Sequence, residues 1–262
     1  MNQILRYPGG KARIADWIIS HFPPHEVYCE PFFGSGAVFF RKAPIRIETI
    51  NDINGDVVNL FRICREHPDE LAQLVALTPY AREEYRASFG PTEEPIERAR
   101  RTLVQYHQSF GRTARESNGW RNSQTSTGPN DARIWSKLPE LIVMACKRLK
   151  DAQIECCDAL ELIKRYDNPE TLLYIDPPYP LELREKNLYH NEMTREQHEE
   201  LLVLVKRSKS KIILSSYANE LYDAELASWA TAEKCCTAQM GLRRTEKIYM
   251  NFQPPLLALG VK

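Results

Sequence analysis

Two short apolar runs, Val27 to Cys29 and Leu172 to Ile175, each end in residues that carry chemistry. Runs of this length bounded by turn residues predict buried strands. The first passes through Glu30, Pro31, Phe32, Phe33, Gly34, Ser35 and Gly36 into an apolar helix start at Ala37 to Phe40. Ile45, Ile47 and Ile50 predict a second strand that ends at Asn51, Asp52, Ile53 and Asn54. The pattern then changes to helical spacing over Asp56 to Leu77, Glu93 to Gln108 and Lys137 to Lys150. In the last of these Leu138, Leu141, Ile142, Ala145 and Leu149 recur on one face. Strands resume at Gln153 to Cys157, Lys211 to Ser215 and Lys247 to Phe252. A short helix is expected at Ala159 to Tyr166, and another opens at Thr194 with Glu196-Gln197 near a capping-box position. The pattern is that of an αβ domain interrupted by a helical insertion, without internal repeats.

The second run leads into Asp176, Pro177, Pro178 and Tyr179. A carboxylate and the Pro177 carbonyl can both accept from one exocyclic amino group. The prolines stiffen the turn and remove two N–H donors, and the tyrosine offers a face on which a base can stack. The same tetrapeptide also fits a plain proline turn. Gly34 and Gly36 allow a ligand close to backbone amides. Asp52 lies at the end of the second strand, where an acid can bind ribose hydroxyls or cap the next helix. The stretch Arg6, Tyr7, Pro8, Gly9, Gly10, Lys11 lacks the spacing of a phosphate-binding loop.

Taken in order, Tyr7-Pro-Gly-Gly-Lys11, Glu30-Pro-Phe-Phe-Gly-Ser-Gly36, Asn51-Asp-Ile-Asn54 and Asp176-Pro-Pro-Tyr179 resemble the Dam-type (D12 class, alpha group) DNA adenine-N6 methyltransferases. The likeness covers most of residues 4 to 60 and 150 to 252 and fades between them. It implies a class I S-adenosylmethionine-dependent methyltransferase fold: Rossmann-like, with a mixed seven-stranded sheet and an inserted helical DNA-recognition domain. The implied boundaries are 1–55 and 151–262 for the catalytic domain and 56–150 for the insertion, with a basic loop at about 105–135. S-adenosylmethionine is the implied cofactor. Tyr7, Lys11, Glu30, Pro31, Phe32, Gly34, Gly36 and Asp52 would line its site together with Asp176; Tyr7 stands where the family more often has tryptophan. Asp158 would reach the cofactor's adenine, although its place before Leu160 also suits a helix cap. Asp176, Pro177, Pro178 and Tyr179 would hold the target adenine.

Charge changes the picture of the insertion. The chain has 262 residues and zero net charge, yet Arg98 to Lys150 carries eleven cations against three acids. Such a segment is an electrostatic footprint for phosphate, or a solvated helix face. From Gln105 to Trp135 arginines mix with aromatics and amides, and Gly111, Gly119 and Gly128-Pro129 predict a loop or hairpin. Arg112, Arg115, Asn118 and Arg121 are the candidates for reading bases, and Arg100 and Arg101 for binding phosphate. The expected partner is double-stranded DNA.

Seven cysteines without a C-x-x-C pair read as reduced thiols, with neither disulfides nor a zinc site, and no metal is required. No apolar run approaches the roughly 18 residues of a membrane span, and Met1 to Lys11 lacks a signal-peptide stretch. The expectation is a cytoplasmic enzyme, with a monomer favoured though the oligomeric state is left open, and of orphan, phage or restriction-modification origin. It would methylate N6 of a flipped-out adenine at a specific site. The alternatives are an enzyme for cytosine N4 or RNA, and an inactive nucleic-acid-binding protein of the same fold.

Overall fold

The computed structural model describes residues 3–110, 119–125, 129–180, 191–237 and 243–255. The chain divides into two compact units. One comprises Met1–Ala12, Gly34–Phe40 and Asn54–Asp151, the other Arg13–Phe33, Arg41–Ile53 and Ala152–Lys262. In chain order the described helices are α1 (Ala15–Ser20), α2 (Gly55–Glu66), α3 (Pro68–Leu77), α4 (Arg82–Ala87), α5 (Pro95–Gln108), α6 (Asp131–Trp135), α7 (Leu138–Leu149), α8 (Ala159–Arg165), α9 (Arg195–Arg207) and α10 (Glu220–Glu225).

The second unit holds the sheet, formed by β1 (Val27–Glu30), β2 (Ile47–Asn51), β3 (Ala152–Glu155), β4 (Thr171–Ile175), β5 (Lys211–Tyr217), β6 (Ala230–Thr237) and β7 (Arg243–Met250). Its seven strands run in the order β3-β2-β1-β4-β5-β7-β6. The first five are parallel, and β7 is antiparallel to both β5 and β6. All five residues of β4 are buried, as expected of a parallel strand covered on both faces. Leu173, Ile175, Ile212 and Leu214 pack with Leu162 and Ile163 of α8 and with Leu201, Leu202 and Val205 of α9. Thr194 caps α9 through a capping box closed by Gln197.

In the first unit, the apolar face of α7 is buried at Leu138, Ile142, Ala145 and Leu149. Asp56 to Leu77, expected as one helix, is two. Pro68 cannot continue a helix, because it lacks an N–H and its ring clashes with the carbonyl four residues back; it opens α3 in the first turn instead. The expected helix at Ala37 to Phe40 is a single turn closed by Phe40 N donating to Gly36 O at 2.9 Å. β7 begins at Arg243, four residues before the expected Lys247. Helices α1, α4, α6 and α10 have only five or six residues each, and the β6 sequence Ala-Thr-Ala-Glu-Lys-Cys-Cys-Thr has no apolar alternation.

The compact unit that holds helices α2 to α7 also takes in Met1–Ala12 and Gly34–Phe40. Tyr7 stacks on Tyr106 with ring centroids 5.3 Å apart, and His107 Nε2 lies 2.8 Å from Ile4 O. The Arg148 guanidinium sits 3.8 Å above the Phe39 ring. Among the described residues no helix is long and apolar enough to cross a membrane.

Candidate active site

Parallel pairing brings the exits of β1, β2, β3 and β4 to one edge of the sheet. From β1 the chain builds β2 and β3 to one side, while β4 and β5 extend to the other, so the topological switch point lies between β1 and β4. In open αβ sheets the ligand crevice forms there. Glu30 is the last residue of β1, 2 % exposed, and accepts a 2.8 Å hydrogen bond from Tyr28 Oη. Asp176 follows the last residue of β4 and is half-buried. The two acids singled out in separate motifs thus leave adjacent strands at the switch point.

Tyr179 is 3 % exposed. Its hydroxyl donates to Glu246, and its ring meets Tyr217 in an edge contact, centroids 4.7 Å apart and planes at 67°. Ser215 Oγ donates to the same Glu246 carboxylate at 2.8 Å. Burial, then the charges of Asp176 and Glu246, push the Tyr179 hydroxyl well above its ordinary value, so it remains a donor. Tyr174 is raised by burial and by Asp176, Glu30 and Glu246. Glu246 and Ser215 carry no motif, and the sequence gives no signal for either.

Asn51 is 1 % exposed and ties three strand exits together. Its Nδ2 donates to Pro31 O at 2.9 Å and to Cys157 O at 3.0 Å, its Oδ1 accepts from Cys157 N at 2.9 Å, and its main-chain O accepts from Phe33 N at 2.8 Å. Asp52, next to it, is 8 % exposed. The cap of α2 is Asn54, whose side chain accepts from Asp56 N, so the capping alternative for Asp52 falls away. Asp158 does cap: its Oδ1 accepts from Leu160 N at 2.8 Å and Glu161 N at 3.2 Å. Phe32 is half-buried against the sheet's core.

In the helical unit, Gly34 and Gly36 have φ of 50° and 64°, values only glycine adopts without strain. A Cβ on Gly34 would lie 3.0 Å from Tyr7 Cδ1. Lys11 is buried and donates from Nζ to Gly9 O at 2.9 Å. Tyr7 and Gly34 are therefore brought together.

The candidate DNA residues fare unevenly. Arg112, Arg115 and Asn118 lie outside the described residues. Arg100 is 13 % exposed, with both Nε and Nη2 donating to Glu97 at 2.7 Å and Nη1 donating to Glu84 at 2.9 Å. These bonds, chiefly from Arg100, pull the Glu97 carboxyl down to about 2. Arg101 donates to Glu97 at 2.6 Å and to Gly90 O at 2.8 Å. Arg100 thus ties α5 to α4, and Arg101 ties α5 to the Gly90 carbonyl. Arg121 donates to Asp131 at 2.8 Å, beside Arg6 at 2.9 Å. Burial alone would raise the Asp131 carboxyl, but hydrogen bonds from the two arginines outweigh it and hold the group below its usual value. A short ladder, with Phe110 N to Gly119 O at 2.9 Å and Arg121 N to Gln108 O at 2.7 Å, closes the hairpin base. Phe110, one of the aromatics of this stretch, is 66 % exposed there.

Comparison with known proteins decides the family. The D12 class N6 adenine-specific DNA methyltransferases match this chain over residues 7–235. The chain belongs to that class. DNA adenine methylase of Escherichia coli strain K12 is 29 % identical over 207 residues, covering 75 % of this chain and 73 % of its own. The DNA adenine methylase of Haemophilus influenzae is 29 % identical over 188 residues, 67 % of this chain and 63 % of its own. Type II methyltransferase M1.LlaDCHI of Lactococcus lactis is 27 % identical, over 66 % and 64 %. The seven-stranded mixed sheet with its helices is, in this D12-class chain, the class I methyltransferase fold.

Proposed function

We propose that this D12-class chain transfers a methyl group from S-adenosylmethionine to N6 of an adenine flipped out of double-stranded DNA, at a specific sequence. The observation that carries the reading is the pair of acids, Glu30 and Asp176, at the exits of the two strands flanking the switch point.

The residues present suit that cofactor. Glu30 and Asp52 are buried carboxylates at strand exits, the environment in which ribose and amino groups find acceptors. Gly34 leaves a space beside Tyr7 that a Cβ would fill. By motif we assign Glu30, Pro31, Phe32, Asp52 and Asp176, with Tyr7, Lys11, Gly34 and Gly36, to holding it, and leave Asp158 to its cap. When bound, S-adenosylmethionine supplies an electrophilic methyl on a sulfonium. The chain's part is to prepare the nucleophile. The lone pair of an adenine amino group is delocalised into the ring until its hydrogens are held by acceptors. The Asp176 carboxylate and the Pro177 carbonyl are those acceptors. Fixing the amino group in line is worth roughly 7 to 11 kcal/mol in well-oriented reactions. Flipping the base costs a few kcal/mol, which stacking at Tyr179 offsets in part.

Asn51 should set the cofactor's affinity. Asn51→Asp replaces a donor to the Pro31 and Cys157 carbonyls by a charged acceptor. We expect S-adenosylmethionine binding to fall about tenfold near pH 8. It should partly recover toward about pH 5, as the new carboxyl takes up a proton it can donate, whereas wild-type binding stays flat. Titration calorimetry across that range checks this; a variant as flat as wild type would show that Asn51 does not set the cofactor's affinity.

Sequence readout is assigned to the hairpin. Alanine at Arg112, Arg115 or Asn118 should include one variant that loses about 1 to 3 kcal/mol of discrimination at a single base pair. Phe110, exposed at the hairpin base, is suited to wedge into a base step, and Phe110→Ala should slow flipping. Arg100→Ala should instead lower the melting temperature and leave discrimination untouched. Methylation of substrates with single-base changes at fixed salt separates these outcomes. The activity itself is tested by expressing the chain in cells free of adenine methylation and sequencing their modified bases. N6-methyladenine at one recurring site is expected; N4-methylcytosine, or modification confined to RNA, would replace the proposal.

A further inference from the structure

We infer that Glu246 is a positioning residue for the target base, acting through Tyr179. The inference rests on reading Asp176 to Tyr179 as the turn that receives the base, and it lies beyond the region the family match covers, which ends at residue 235. Glu246 is on β7, opposite Tyr217 of β5 in the antiparallel register. The residue is 4 % exposed. Burying a carboxylate in a sheet is unfavourable unless hydrogen bonds replace its water, and here the Tyr179 hydroxyl and Ser215 Oγ both donate to it. The two donors come from different elements, the proline turn after β4 and strand β5. The carboxylate therefore fastens the turn to the neighbouring strand.

The consequence falls on one ring. Tyr179 is held at its hydroxyl by Glu246 and along its side by the edge contact with Tyr217. A tyrosine pinned at two points cannot rotate about its Cα–Cβ bond without breaking a bond to a buried charge, so its stacking face has one orientation before any base arrives. Pre-setting that face lowers the ordering needed when the base leaves the helix. A neutral hydrophobic packing of the same volume would bury the ring equally well but would not fix its tilt.

The test combines Glu246→Ala, Glu246→Gln and Tyr179→Phe in the full chain. Losing a hydrogen bond to a charged group in a closed site predicts a fall in kcat of about tenfold for Glu246→Ala, with KM for S-adenosylmethionine unchanged. Glu246→Gln, whose amide oxygen still accepts from the tyrosine, should recover most of the loss. Tyr179→Phe removes the other end of the same contact. The double variant should be no slower than the worse single, because both break one interaction. A 2-aminopurine at the target position gives a readout independent of turnover, and its flipping signal should drop in Glu246→Ala and Tyr179→Phe alike. Additive losses, a Gln variant no better than Ala, or an unchanged flipping signal would overturn the inference. Should Glu246→Ala not fold, Tyr179→Phe decides alone, and wild-type kcat and flipping in it would be equally fatal. If the wild-type chain itself modifies no adenine, the functional reading fails first, and that outcome is distinct from all of these.

Discussion

Asp176→Ala is expected to lower methyl transfer to duplex DNA at least about 100-fold, the cost of losing one aligned hydrogen bond at a reacting centre in a water-excluded site. The amino group of adenine would then keep one acceptor, the Pro177 carbonyl, and most of its lone pair would stay in the ring. Asp176→Asn is the sharper variant, since it preserves shape while replacing one of the two acceptor oxygens by a donor that faces the amino hydrogens. It should be nearly as slow as alanine. Single-turnover assays with saturating duplex measure the chemical step. The duplex affinity at fixed salt should be little changed, while the cofactor-induced rise in melting temperature reports the share Asp176 has in holding the cofactor. More than about a tenth of wild-type turnover in either variant would exclude Asp176 as an amino-group acceptor, because no aligned hydrogen bond of this kind is that weak.

Those parts of the molecule that repeat a simple pattern are open to sequence reading. Leu172 to Ile175 is a strand because it is uniformly apolar over strand length, and Leu138, Ile142 and Leu149 of α7 fall on one face because their spacing is helical. The order of motifs identifies the family, and three of the four place an acid or a glycine where a strand ends. What escapes is what depends on partners distant in sequence. Nothing along the chain places Glu84 of α4 against Arg100 of α5, sixteen residues away. Glu246 sits in Arg-Arg-Thr-Glu-Lys-Ile-Tyr-Met, where nothing marks it as the residue that turns inward to Tyr179. β6, an edge strand of small and polar residues, has no periodic signal and owes its form to pairing with β7. The break at Pro68 is visible in the sequence and its consequence is purely local, so the single long helix is an error of reading, not of information.

Gly34→Val is the second large expected effect, and it acts on the cofactor rather than on the base. At φ 50° a β-branched side chain clashes with its own backbone. The new Cβ would also sit 3.0 Å from Tyr7 Cδ1 and 3.3 Å from Tyr7 Cε1, tighter than ordinary van der Waals contact. Backbone strain of this kind costs about 1 to 3 kcal/mol. In a chain of this size that lowers the melting temperature by roughly 2 to 4 °C per kcal/mol. The turn can relieve both conflicts only by moving away from the conformation that opens its amides to a ligand. S-adenosylmethionine should therefore give no rise in melting temperature up to concentrations that saturate the wild type. Gly34→Ala keeps the backbone strain with a smaller side chain and should bind with intermediate affinity. Tyr7→Ala relieves the ring contact but also takes Tyr7 from the proposed site, so Gly34→Ala is compared with and without Tyr7→Ala, and a smaller effect of Gly34→Ala on the Tyr7→Ala background measures the contact. A Gly34→Val protein that binds the cofactor as tightly as wild type would show that this turn is not part of its site.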